Sequence, residues 1–169
     1  MFKAFFTALL TYQQKQANNV AIAKHLAKIA LYELKGEKAL YPDVRKKFKL
    51  LEERMALVGK PILLQSDFRT AKKQNELYAQ GRTKSGKIVT NARALESWHN
   101  VSFAFDCVFQ KYYWSPPSQY WWDILGNEGE KLGLIWGGRW DLRDYGHFEH
   151  PITETINRKT LKEYFKNYD

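Results

Sequence analysis

Residues 101–109 (VSFAFDCVF) constrain the fold more than any other stretch of this chain. Read as a strand, they place Val101, Phe103 and Phe105 on one face and Asp106 on the other. Elsewhere the period is helical. Ala23, Leu26, Ala30 and Leu34, flanked by Ile22 and Ile29, form one apolar stripe, with Gly36 as its stop. A second amphipathic helix is expected from Pro42 and Asp43, with Pro42 in its first turn. It buries Val44, Phe48, Leu51 and Met55 and is closed by Gly59 ahead of Pro61. Residues 61–68 (PILLQSDF) suit a short strand, and Thr70 suits the cap of a helix running to Gly81. Residues 115–118 (SPPS) turn into a helix over QYWWDILGNEGEKL that Gly133 closes. A Gly-rich aromatic segment, LIWGGRW, then precedes HFEH, and the tail after Thr153 reads as a terminal helix. Helices and short strands interleave irregularly without internal repeats, so the expected class is α+β.

At 169 residues the chain suits one domain with a substantial core, here expected over 37–169 with a helical extension over 1–36. Twenty-seven Lys and Arg against eighteen Asp and Glu give a net charge of +9. That excess implies an anionic partner: nucleic acid, an acidic membrane surface or a polyanionic cell wall. The aromatics do not interleave with Lys or Arg as a base-stacking platform requires, so nucleic acid is not the expected partner. Cys107 alone excludes an internal disulfide and a multi-cysteine zinc knuckle, and reads as a buried inert thiol. No stretch approaches the ~18 apolar residues that span a bilayer. Residues 1–10 (MFKAFFTALL) carry a short apolar run, but 11–16 (TYQQKQ) offer no small-residue cleavage site. A cytoplasmic product without a signal peptide is expected, and a target outside the membrane then needs another means of delivery.

Of four histidines, His25 reads as a solvated residue on the N-terminal helix, whereas His99, His147 and His150 lie among aromatics and acids. No H-E-x-x-H is present. On one helix, the seven residues from His99 to Asp106 span roughly 10 Å, too far for two bonds of about 2 Å to one ion. On one flat strand the odd offset turns them to opposite faces. They meet only if the chain bends between residues 100 and 102. By spacing alone, a core histidine and a buried structural Asp are favoured. In the second cluster, Asp144 to His150, Gly146 lets the backbone turn so that Asp144 and His147 both approach one point. If 147–150 is extended, His147 and Glu149 share a face and His150 looks away, which makes His147 the better ligand and His150 the substitute. Two histidines and one carboxylate leave a fourth position for water, the arrangement of a catalytic zinc site. Arg69, between a strand and a helix, can reach a cleft and polarise a carbonyl or hold an oxyanion; a solvated surface role is the alternative.

The run from Ser97 to Asp106 (SWHNVSFAFD) resembles the S-x-H-x-x-G-x-A-x-D signature of the D-alanyl-D-alanine carboxypeptidase and VanY-like metallopeptidases. Phe68-Arg69-Thr70 with Gln74, Leu77-Tyr78, Gly81-Arg82-Thr83 and Val89-Thr90 resembles the arginine segment of one branch, the L-alanyl-D-glutamate peptidases of phage endolysins. Gly133-Leu134, Trp136-Gly137-Gly138, Trp140 and Asp144-x-x-His147-Phe148-Glu149 resemble its closing segment. The resemblance covers roughly residues 42–150, and three blocks in order are more specific than any one.

Carried over by position, it implies zinc on His99, Asp106 and His147, a general base at Asp144 and oxyanion stabilisation by Arg69. Substrate contacts are expected at Gln74, Arg82, Ser97 and Trp98. The implied fold is the compact α+β domain shared with the hedgehog signalling domain. The implied activity is zinc-dependent hydrolysis of the peptidoglycan stem peptide between L-Ala and D-Glu, by a monomer acting at the bacterial cell wall. Virion-borne or holin-dependent delivery goes with a phage endolysin. A D,D-carboxypeptidase that removes terminal D-Ala, or a non-catalytic zinc-stabilised virion or wall-binding module, are the alternatives. Ser102 stands where the family usually has Gly, and Asp67 where an aromatic commonly precedes the Phe–Arg pair. Trp98, Trp121, Trp122, Trp136 and Trp140 could line a groove for sugar or peptide. Most read as core, since Trp121 and Trp122 fall on a helix next to Ile124 and Leu125, and Trp98, beside a ligand, is the first groove candidate.

Overall fold

The computed structural model describes residues 35–154 together with Ala17, Val20, Ala21, Lys24 and His25. Most of the helix expected over 1–36, and the terminal helix expected after Thr153, lie outside the described residues. The chain divides into two compact units, Met1–Leu34 and Lys35–Asp169. In the first, His25 is buried rather than solvated. Every element named below belongs to the second.

Four strands form one antiparallel sheet: β1 (Ile62–Ser66), β2 (Ala104–Phe109), β3 (Ile135–Trp136) and β4 (His147–Glu149), in the order β1-β2-β4-β3. Among the described residues of this unit, three α-helices accompany it: α1 (Pro42–Leu57), α2 (Ala71–Ala79) and α3 (Gln119–Lys131). This is the expected α+β class, and none of the described helices is long and apolar enough to cross a membrane.

The helix ends follow local chemistry. Pro42 opens α1, where its missing N–H costs nothing. Gly59, at φ +71°, closes it in the left-handed conformation, and Lys60 N–H returns to the Met55 carbonyl at 2.8 Å. The Thr70 hydroxyl caps α2 by accepting from Lys73 N–H at 3.2 Å. The start of β2 differs from expectation. Trp98–Val101 forms a 3-10 turn, Ser102 is left-handed (φ 65°, ψ 18°), and the strand begins only at Ala104. The cause is tertiary: the Asn100 side-chain amide donates to the Arg69 carbonyl at 2.6 Å and its oxygen accepts from Leu95 N–H at 3.0 Å. These contacts hold the turn against the local alternation.

The helices α1 and α3 cover one face of the sheet. Phe105 meets Phe48 of α1 edge-on at 5.2 Å and stacks on Phe148 of β4 at 5.3 Å. Phe109 meets Trp122 of α3 at 4.8 Å. Phe105, Phe109 and Phe148 are fully buried, each contributing about 1.5–3 kcal/mol by removal from water. Strand alternation then turns Asp106 and His147 to the opposite face.

Helix α3 approaches β3 so closely that a Cβ on Gly126 would lie 2.2 Å from the Trp136 indole. That indole is pinned, since its N–H donates to the Tyr145 carbonyl at 2.8 Å. In Gly126→Ala, a gain of about 1 kcal/mol in helix propensity opposes an overpacking cost of about 1–3 kcal/mol. We expect net destabilisation of about 1–2 kcal/mol, read as a lower urea midpoint at unchanged slope. An unchanged or higher midpoint would mean that the indole yields freely.

Candidate metal centre

Sheet register assembles the site. Asp106 pairs with His147 across β2 and β4, and with Ser66 across β1 and β2, so the three side chains form a row on the face away from α1 and α3. His99 reaches the same place from the 3-10 turn, because left-handed Ser102 bends the chain between His99 and Asp106. This is the bend that their spacing requires. It places a side chain where the backbone favours glycine, and the Ser102 hydroxyl is buried without a hydrogen-bond partner among the described residues.

Among the described residues, His99, Asp106 and His147 form the one group of donors suited to a metal ion, with ligand atoms all within 4.8 Å of one another. Asp106 Oδ1 lies 3.3 Å from His99 Nε2 and 2.7 Å from His147 Nδ1. Tetrahedral ligands about 2.1 Å from one ion lie roughly 3.4 Å apart. The His99 separation matches this, the His147 separation is that of a hydrogen bond, and two imidazoles with a carboxylate are a donor set that suits zinc. The outer ring nitrogens are also occupied. His99 Nδ1 donates to the Asp67 carbonyl at 2.8 Å, and His147 Nε2 lies 3.2 Å from Glu149 Oε1. Both arrangements leave the inner nitrogen to face the carboxylate.

The electrostatics agree with a cation site. Burial alone would raise the Asp106 carboxyl, but the His99 charge and the His147 hydrogen bond hold it far below the usual carboxylate range. Burial opposes protonation of His147, yet hydrogen bonds to Asp106 and Glu149 raise it to about 10. Metal binding there must displace the proton on the nitrogen facing Asp106.

Asp144 is not one of the three donors. Its carbonyl accepts from His147 N–H at 3.2 Å, closing the turn between them, and its own N–H donates to the Gly137 carbonyl at 3.0 Å. Loss of hydration raises its carboxyl first, and the charge of Asp106 adds to this, while His147, His99 and Arg69 pull it down. The residue is still solvent-exposed. Gly146 is needed here for space rather than for a left-handed turn. A Cβ would lie 2.7 Å from the Cys107 carbonyl and 2.6 Å from the Trp114 ring. His150 is turned away, with Nε2 2.9 Å from Asp43 Oδ2 and Nδ1 accepting from Ile152 N–H. It does not substitute for His147 in this arrangement. Cys107 is buried, and burial pushes its thiol up.

Arg69 lies at the edge of the row. Its guanidinium donates to Ser66 Oγ at 2.8 Å and Gln74 Oε1 at 3.0 Å, and one nitrogen is 3.5 Å from Asp106 Oδ2. Burial lowers its pKa from a value so high that it stays charged. The four expected substrate contacts are mostly occupied by the fold. Gln74 is wholly buried and divides its amide between Arg69 and the Ala92 carbonyl, so it positions Arg69. Trp98 is buried at 4% exposure. Ser97 Oγ caps the 3-10 turn by accepting from His99 N–H. Arg82 stacks on Tyr78 and donates to the Thr90 carbonyl and Asn91, which fastens the loop after α2. Trp140, one of the five tryptophans considered for a groove, lies beside the site: its ring is 5.2 Å from His147, and it is 37% exposed. The Asp67 carboxylate, at the other family departure, accepts from the Gly36 amide.

Gln74→Leu removes the donor to Ala92 and one acceptor of Arg69. We expect a loss of about 1–3 kcal/mol in chemical denaturation. No loss would mean that water replaces the amide at both partners.

Residues 90–150 match a family model described as D-alanyl-D-alanine carboxypeptidase. The peptidoglycan L-alanyl-D-glutamate endopeptidase CwlK of Bacillus subtilis (strain 168) is 36% identical over 135 residues, covering 71% of this chain and 78% of that protein. The fold is similar to that of the LD-carboxypeptidase LdcB (TM-score 0.56, 15% identity, 79% of this chain and 72% of that one). It is also similar to that of the vancomycin-resistance D,D-pentapeptidase VanY solved with Zn(II) (TM-score 0.52, 15% identity, 75% and 83%).

Proposed function

Since the chain belongs to the D-alanyl-D-alanine carboxypeptidase and VanY-like family of metallopeptidases, we propose that it is a zinc-dependent peptidoglycan endopeptidase. We assign it the bond between L-Ala and D-Glu of the stem peptide. The observation that carries the zinc reading is the His99–Asp106–His147 cluster, with both outer ring nitrogens already engaged. The choice of bond is supported by the relative of 36% identity, a peptidoglycan L-alanyl-D-glutamate endopeptidase. The net charge of +9 suits an acidic wall and acidic stem peptides. A phage endolysin acting at the host wall is the biological setting that this reading fits.

In this reading His99, Asp106 and His147 hold zinc, which supplies Lewis-acid activation of the scissile carbonyl and of water. Asp144 takes the proton of the attacking water and returns it to the leaving amine. Its raised pKa and its exposure suit a group that exchanges protons with substrate. Arg69, held by Ser66 and Gln74, presents a fixed positive charge to the oxygen that becomes negative.

Mass spectrometry of digested peptidoglycan tests the bond: a new free amino terminus on D-Glu is expected. Release of D-Ala alone would point to a D,D-carboxypeptidase instead. Asp144→Asn should lower turnover by about 100-fold or more while bound zinc stays at wild-type level. Zinc lost together with activity would move Asp144 into the ligand set. Intact zinc with undiminished turnover would remove it from the mechanism.

A further inference from the structure

Glu149 is a carboxylate at this site that the proposed reaction does not use. It is 7% exposed, and burial of a charged carboxylate is costly unless a partner answers it. Its Oε1 lies 3.2 Å from His147 Nε2, the ring nitrogen on the side away from Asp106. We propose that Glu149 is a positioning residue for the metal. It accepts the His147 Nε2–H and holds the tautomer and ring orientation that turn the Nδ1 lone pair inward.

The register brings the two side chains together. His147 and Glu149 stand two apart on β4 and therefore share a face, while pairing fixes His147 opposite Asp106 and Glu149 opposite Ala104 and Ile135. Both side chains therefore project from the same face of β4, and Glu149 meets the imidazole with no change in the strand. It cannot serve as a ligand in this arrangement, since it is not in the group of donors within 4.8 Å. Its charge acts through the imidazole. His99 is held differently, by the neutral Asp67 carbonyl at 2.8 Å. A carboxylate thus stands behind one histidine and a peptide oxygen behind the other.

The inference rests on the reading that the three donors hold zinc, and the experiment separates the two. The full chain is stripped of metal, and Zn(II) and then Co(II) are titrated against a chromophoric chelator for wild type, Glu149→Gln and Glu149→Ala. Thermal melts of the apo forms report folding. Glu149→Ala should bind zinc about 10–100-fold more weakly and shift the Co(II) absorption bands. Glu149→Gln, whose amide oxygen still accepts the bond, should fall between it and wild type. If Glu149→Ala does not fold, the isosteric Gln variant decides by the same affinity. Wild-type uptake with both variants within twofold of it overturns the inference alone. Wild type that takes up no metal overturns the zinc reading and this inference with it.

Discussion

Asp106 is a carboxylate set between two imidazoles on the inside of a sheet, and the arrangement around it follows from keeping it there. The pairing of β2 with β4 puts His147 directly opposite. Burying an acid is unfavourable by itself, and here the charges and hydrogen bonds of His99 and His147 outweigh that cost, so Asp106 stays ionised. The register cannot easily slip. A shift of one residue would turn Asp106 into the layer where Phe105 meets Phe48 and Phe148, and would bring those rings to the polar face. The aromatic packing against α1 thus guards the geometry of the opposite face.

The neighbours of the cluster are hydrogen-bonded in turn, some across the sheet and some within a few residues along the chain. Ser66 of β1 extends the Asp106–His147 row and receives Arg69, which Gln74 of α2 grips from the other side. The outer nitrogen of His99 meets a backbone carbonyl from the segment after β1, and that of His147 meets Glu149. A site whose supports are themselves hydrogen-bonded loses little order when a ligand arrives, which is the physical content of preorganisation. The exposed groups at its edge, Asp144 and Trp140, are those left free of such packing.

Much of this was legible in the chain. The Pro42 start, the Gly59 stop and the Thr70 cap each depend on the conformation of a few consecutive residues, and each stands where local sterics put it. The donor residues were legible because three motif blocks occur in order; from spacing alone, His99 and Asp106 looked like core residues. Trp98 was read as a groove residue from adjacency to a ligand, and Gln74 as a substrate contact from the family resemblance, yet both are buried. Adjacency to a ligand says nothing about which way a side chain points. Gly146 was assigned to a turn, whereas it is the carbonyl of Cys107, 39 positions earlier in the chain, that leaves no room for a Cβ.

The sequence by itself determined the α+β class, the helix boundaries and the residue types available for metal chemistry, because period, capping and donor chemistry are properties of short segments. Tertiary structure alone decided which nitrogen of each histidine faces Asp106 and that the Asp67 carbonyl stands behind His99. Those choices depend on strand register and on contacts between segments far apart in the chain. No local pattern encodes an angle between two side chains that meet only after the sheet has formed.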